Sequence, residues 1–468
     1  MLAIVANRVL YQWLVEDPVF WESQGRVIAN RNLWLSILAL LLSFAVWMVW
    51  SVVVVNLPNI GFSFSTDELF WLAALPALSG ATLRIFYAFM VPLFGGRRWT
   101  AISTAALLLP AFGIGLAVQD PATPYSTFAL LALLCGLGGG NFASSMANIN
   151  FFFPKSQKGL ALGLNAGLGN LGVSVVQFVV PLIITVDIFG IFGTFGGSPQ
   201  SWVHLSESKN LWLQNAGYIW VPLLVLATLG AWFGMNDLSS ARAPLTEQTL
   251  IFRDKHCWLM CWLYLGSFGS FIGYAAGFPL LIKSQFPEVD ALAYAFLGPL
   301  VGALIRPVGG WISDHAGGAS VTLWNFVAMI AAVLGVMYFL PTGASGGNFH
   351  GFLAMFMLLF TMSGIGNGST FHMIPLTFLT RHQQQAKDKG PVAQEQATMS
   401  ANREAAVVMG FASAIGAYGG FFIPRSFGSS IAQSGSPELA LYGFILFYLS
   451  CIGVTWWFYL RPSSTEFP

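Results

Sequence analysis

Charge is what this chain has least of. Asp, Glu, Lys and Arg make up only 8% of its 468 residues, against about 25% in ordinary soluble domains. A water-facing surface of normal extent cannot be assembled from so few ionised groups. The 20 basic and 19 acidic residues nearly cancel, to a net charge of +1, which excludes the strong positive field of a nucleic-acid binder. Cysteine is scarce too. Cys135, Cys257, Cys261 and Cys451 lie within or at the ends of apolar runs, with no histidine or carboxylate cluster beside them, so no disulfide framework, metal site or cofactor is expected. The first 32 residues mix acids with bases and lack an apolar core followed by a small-residue cleavage site, so they do not read as a removable signal peptide.

In place of charge the chain has apolar side chains, 56% of all residues. Leu33–Val55 and Thr100–Val118 contain no Asp, Glu, Lys or Arg, and such runs are long enough as helices to cross a hydrocarbon core of about 30 Å. Apolar runs between polar or Gly/Pro-rich breaks predict twelve spans: 33–57, 68–94, 98–118, 125–150, 159–187, 212–235, 258–283, 291–313, 320–340, 350–379, 402–423 and 438–460. The basic residues test that count. Fifteen of them (Arg8, Arg26, Arg31, Arg97, Arg98, Lys155, Lys158, Arg242, Arg253, Lys255, Arg381, Lys387, Lys389, Arg403 and Arg461) fall on one side of the resulting topology, and Lys209, Lys283 and Arg425 on the other. One missed or extra span would scramble this asymmetry. It predicts a multi-pass membrane protein with both termini cytoplasmic.

The polar connection at 236–257 divides a cytoplasmic segment 1–32 and a six-helix half 33–235 from a second half 258–460 with a tail 461–468. The halves echo each other. CGLGGGNFASS at 135–145 resembles SGIGNGSTFHM at 363–373, and GLNAGLGNLGVSVVQFVVP at 163–181 resembles GFASAIGAYGGFFIP at 410–424. The expected fold is all-α, with two pseudo-symmetric bundles of six helices and a substrate site between them.

Two basic residues are left inside spans, Arg84 and Arg306. An arginine at mid-membrane costs about 2.5–3.5 kcal/mol on insertion scales unless it finds water or a partner. Gly298, Gly302, Arg306, Gly309 and Ser313 recur every three or four residues, as do Gly80, Arg84 and Tyr87, so each arginine shares a face with small residues that pack against helices rather than lipid. Asp67, Glu68, Asp187, Glu288, Asp314 and Glu404 all sit at or near predicted helix ends, leaving no mid-span carboxylate. Two guanidiniums, whose planar forks match planar oxyanions, describe an anion site; a structural role in gating is the other reading. His372 is the one candidate for a proton relay, and a hydrogen-bonded helix histidine is its plainer reading.

GLGNLG at 167–172 matches a dinucleotide-binding pattern by letter only, because it lies inside an apolar span rather than at a strand-to-helix turn. Its glycines are read as helix-packing positions, and Asn170 within it as a donor to an anion. Phe142, Tyr264, Phe268 and Phe371 lie near the expected depth of the cavity.

GGWISDHAGG at 309–318 resembles the loop signature of the major facilitator superfamily, and FGGRRW at 94–99 is a degenerate copy without the aspartate. EDPVFW, NLPNIGFSFSTDELF, NFASSMANINFFFP, GLNAGLGNLG, YLGSFGSFIGYAAGF and GAYGGFFIP together resemble the bacterial nitrate/nitrite porters of that superfamily, over nearly the whole chain. The resemblance implies the major facilitator fold, alternating access, and nitrate or nitrite held between Arg84 and Arg306. It further implies hydrogen bonds from Tyr264 and Asn170, walls from Phe142 and Phe268, and a contribution from Ser413. Gly163, Gly167, Gly169, Gly172, Gly410, Gly416, Gly419 and Gly420 would let helices bend and slide. The partners expected are nitrate, nitrite and the lipid bilayer, without nucleic acid, and the chain is expected to be a monomer. Exchange of nitrate for nitrite is the leading reading, beside proton-coupled symport or carriage of another small oxyanion or monocarboxylate. A sensor lacks an output domain, and an enzyme lacks a mid-span nucleophile, metal cluster or acid pair.

Overall fold

A computed structural model of the chain describes residues 5–6, 8–190, 196–204, 207–239, 253–341, 347–387 and 389–461. Residues 1–4 and 7 of the expected leading segment, 240–252 of the connection and 462–468 of the tail lie outside the described residues.

Among the described residues twelve helices are long and apolar enough to cross a membrane. They are α1 Pro18–Asn56, α2 Thr66–Tyr87, α3 Gly96–Ala117, α4 Tyr125–Asn150, α5 Lys155–Ile183, α6 Asn215–Gly234, α7 Lys255–Gln285, α8 Ala291–Ala316, α9 Gly318–Phe339, α10 Phe349–Ala386, α11 Val392–Ser434 and α12 Glu438–Leu460. Each coincides with one expected span, so the chain is an integral multi-pass membrane protein. Leu109, Leu226, Trp324 and Leu446 are exposed on this surface, as residues that meet lipid tails are.

Three helices outrun their expected bounds. α1 begins at Pro18, where Asp17 Oδ1 accepts the Val19 amide at 2.9 Å, and α10 and α11 carry polar extensions toward 386 and from 392. Hydropathy reading stops where charge begins, whereas a helix continues until its hydrogen bonds or caps end it. Glu404 is thereby corrected: it lies within α11, not at a helix end, and accepts a 2.9 Å bond from His382 Nε2 on α10. Local chemistry sets other boundaries. Ser65 and Glu68 form a reciprocal capping box at the start of α2, and left-handed Gly435 (φ 74°) closes α11, its amide on Ile431 O. α7 contains a π-helical turn at Leu265–Gly269 and Pro279 further along, two recognised causes of bending.

The helices group into two compact units, residues 1–244 with 275–296, and 245–274 with 297–468. In the first, α2 packs along α4, and α1 lies against both α4 and α5. In the second, α8 packs along α10, which also contacts α9 and α11. The arginine helix and the glycine-repeat helix are thus partners in each unit, as duplication of one bundle requires.

Candidate functional site

Arg84 is built into the first unit by the absence of side chains opposite it. A Cβ on Gly136 of α4 would lie 2.6 Å from the Gly80 amide and 2.8 Å from Pro76 O, so only glycine lets α2 and α4 approach this closely. Trp47 Nε1 donates to Pro76 O at 2.8 Å, and Ser79 Oγ to Leu133 O at 2.6 Å, holding α1, α2 and α4 together. Arg84 is then wholly buried, in line with Gly80 and Tyr87. Its Nε donates to Gly139 O at 2.8 Å, and its guanidinium lies 4.8 Å from the Phe142 ring centroid, 5.1 Å from Trp47 and 5.8 Å from Phe44. Aromatic faces stabilise a cation by about 0.5–2 kcal/mol each. A carbonyl and three rings therefore hold the guanidinium in place without a full counter-charge among these four contacts.

The second unit repeats the construction. Gly298, Gly302, Arg306, Gly309 and Ser313 form the buried stripe that their spacing predicts. A Cβ on Gly364 would meet Gly302 Cα at 3.0 Å, and one on Gly368 the Gly310 amide at 2.7 Å. Arg306 lies over Phe371 at 5.2 Å. Among the described residues no carboxylate pairs with Arg306, and its buried Nη1 has no hydrogen-bond acceptor. From Phe371 an aromatic column continues through Tyr264 (5.8 Å) to Phe268, stacked on Tyr264 at 5.3 Å. Gly416 of α11 backs it, since a Cβ there would lie 2.8 Å from Tyr264 and 3.2 Å from Phe268. Arg306, Tyr264 and Phe268, all singled out from sequence, thus belong to one cluster, with Phe371 as the ring that links them. Ser413 is buried one turn before Gly416, its Oγ donating to Gly410 O at 2.7 Å.

Asn170 is buried in α5, and its Oδ1 accepts no hydrogen bond; none joins it to Arg84. The glycines divide. Gly169 and Gly172 sit against Leu40, Phe44 and Ala45 of α1, Gly419 against Gly269, and Gly420 is buried. Around Gly163, Gly167 and Gly410 nothing lies within 4 Å of a Cβ position, so these three pack against nothing. His372 Nε2 donates to Asp314 Oδ1 at 2.7 Å, the hydrogen-bonded helix histidine of the plainer reading.

Two features escaped sequence reading. Trp47 and Phe44 flank Arg84 from α1; the helical spacing of Ser36, Leu40, Phe44, Trp47 and Ser51 was their signal. The second is the acid missing from FGGRRW. Asp237, just past α6, fills that role: its Oδ1 accepts from the Arg97 amide at 2.8 Å and its Oδ2 from Arg97 Nε at 3.3 Å, with Arg98 Nε 3.8 Å away. It is held by a short parallel strand pairing of Asp237–Leu238 with Val9–Leu10, which no local pattern announces.

The architecture is shared widely. The crystal structure of a D-xylose–proton symporter superposes with a TM-score of 0.65 over 94% of this chain and 99% of that one, at 14% identity, a likeness of fold alone. The family model for the Major Facilitator Superfamily matches residues 35–387. Nearer relatives are the nitrate/nitrite transporter NarU of Escherichia coli K12, 52% identical over 98% of this chain and 97% of its own, and the probable nitrate/nitrite antiporter NarK2 of Thermus thermophilus, 40% identical over the full length of both. With the fold, the duplicated arginine helices and this full-length identity in agreement, the chain belongs to the nitrate/nitrite porter family of the Major Facilitator Superfamily.

Proposed function

We propose that this protein carries nitrate and nitrite across a bacterial inner membrane by alternating access, exchanging one anion for the other. The observation that carries the reading is Arg306, a buried guanidinium on an aromatic face with a free Nη1 donor, at the place in the second half that Arg84 occupies in the first. A buried donor of this kind favours a ligand that brings both acceptors and negative charge. The kinship with NarU and NarK2 narrows that ligand to nitrate and nitrite. In this reading Arg84 and Arg306 bind the anion, Asn170 and Tyr264 hydrogen-bond to it, Phe142 and Phe268 exclude water, and Ser413 contributes from α11. The halves 33–235 and 258–460 move as the bundles, the protein works as a monomer, and both termini lie in the cytoplasm.

The test is counterflow in proteoliposomes. Internal nitrite accelerates nitrate uptake, and Arg84→Lys or Arg306→Lys lowers the rate at least about a hundredfold, because an ammonium loses the fork that matches the planar anion. Unchanged exchange in both variants rejects the arginine site. Uptake that ignores internal nitrite and follows a pH gradient replaces exchange with symport.

A further inference from the structure

Gln177 of α5 is fully buried, and its Nε2 donates to Ala275 O of α7 at 2.7 Å and to Ser51 Oγ of α1 at 2.9 Å; Ser51 Oγ donates onward to Met48 O at 2.6 Å. Ala275 O can only accept, so the atom facing it must be the amide nitrogen. The carbonyl is available for a local reason. Its helical donor would be the amide four residues on, and that residue is Pro279, which has none. Gln177 replaces the hydrogen bond that the proline removes. Its own Oε1, also buried, accepts nothing. An unpaired buried acceptor carries a desolvation cost, which offsets part of what the two donated bonds gain.

The position of Ala275 gives the contact its meaning. Residues up to 274 of α7 belong to the second compact unit and those from 275 to the first. The division between the two units thus falls within α7, near the carbonyl to which Gln177 donates and between the π-helical turn at Leu265–Gly269 and Pro279. On the other flank of this point Tyr274 Oη shares a 2.8 Å hydrogen bond with Tyr448 Oη in the second unit. The device is one-sided: aligning Pro181 with Pro424 in the internal repeat puts Gly420, which has no side chain, opposite Gln177.

We propose that Gln177 is a positioning residue for transport, a latch on the proline-freed carbonyl of Ala275 that fixes the far part of α7 to α1 and α5 and releases it in each cycle. Its gating role rests on the transport reading above, whereas the latch itself does not. The test uses the full-length protein in nanodiscs and hydrogen–deuterium exchange of residues 276–285, in a double-mutant cycle with Pro279→Ala, which returns an amide to Ala275 O. Gln177→Leu raises exchange in that segment about tenfold, and Gln177→Met, similar in length but without a donor, does the same. In the Pro279→Ala background the same changes raise it less than about twofold. Equal increments in both backgrounds overturn the latch and leave Gln177 as packing. In proteoliposomes the Gln177→Leu variant changes the maximal counterflow rate several-fold. An unchanged rate with the cycle intact overturns the gating role. If the unsubstituted protein shows no counterflow, the transport reading fails while the exchange cycle still decides the latch.

Discussion

Buried arginines are held in two chemically different ways in this protein. Arg97 has a carboxylate, Asp237, and adds Trp232 O at 2.9 Å and the Trp232 ring at 5.1 Å. Arg306 has an aromatic face and an unfilled donor. The first arrangement is complete in itself, and the second keeps a donor for the anion proposed above. Removing one partner of a buried pair strands the other charge, so Asp237→Asn should lower stability by about 3–5 kcal/mol. Arg98→Ala, whose side chain is 49% exposed and sits 3.8 Å from Asp237, should cost less than about 1 kcal/mol. Thermal unfolding in detergent separates the two; equal melting temperatures would show that the Arg97 pair is not structural. Arg84 and Arg306 were legible in the sequence because every other basic residue fell in a loop or at an end of an expected span. Asp237 was not, because the carboxylate that meets Arg97 lies 140 positions away and only folding joins them.

At the scale of helices, spacing and contact part company. Four-residue periodicity marks Gly163 and Gly167 as readily as Gly136 and Gly364, yet the structure gives the two sets opposite surroundings. A methyl at Gly136 or Gly364 meets the backbone of the arginine helix, whereas one at Gly163 or Gly167 meets nothing within 4 Å. Gly136→Ala and Gly364→Ala should therefore destabilise by about 1–3 kcal/mol through overpacking, and on the proposed arginine site they should weaken nitrate binding by displacing Arg84 and Arg306. Gly163→Ala and Gly167→Ala should leave stability unchanged or raise it by up to about 1 kcal/mol. Melting curves with and without nitrate check both statements, and a reversed order would mean that the fifth helix packs on the face carrying Gly163. Periodicity names a helical face, but only the neighbouring helix decides whether that face is filled.

For the molecule as a whole, the distribution of basic residues makes a topological prediction. Ser198, between α5 and α6, and Lys389, between α10 and α11, are exposed and lie on opposite sides of the expected topology. The four native cysteines are free and buried. A membrane-impermeant maleimide added to intact cells should label Ser198→Cys and spare Lys389→Cys until the membrane is opened, if both termini are cytoplasmic. The reverse pattern would invert the protein in the membrane. The twelve-span count was readable at this scale since each span carries its own hydropathy signal. The division of α7 between two units was not, because that span is one uninterrupted apolar helix.

Hydropathy, the placement of charge and internal repetition are properties of the chain taken in order. They sufficed for a membrane protein of twelve helices in two related halves with two arginines out of place. What surrounds those arginines depended on segments far apart in sequence meeting in space. The rings over Arg84 come from α1 and α4, the acid on Arg97 from beyond α6, and the amide on Ala275 O from a residue 98 positions earlier. Local pattern decides that a backbone group or a charge will need a partner, and the packing of helices decides which residue supplies it.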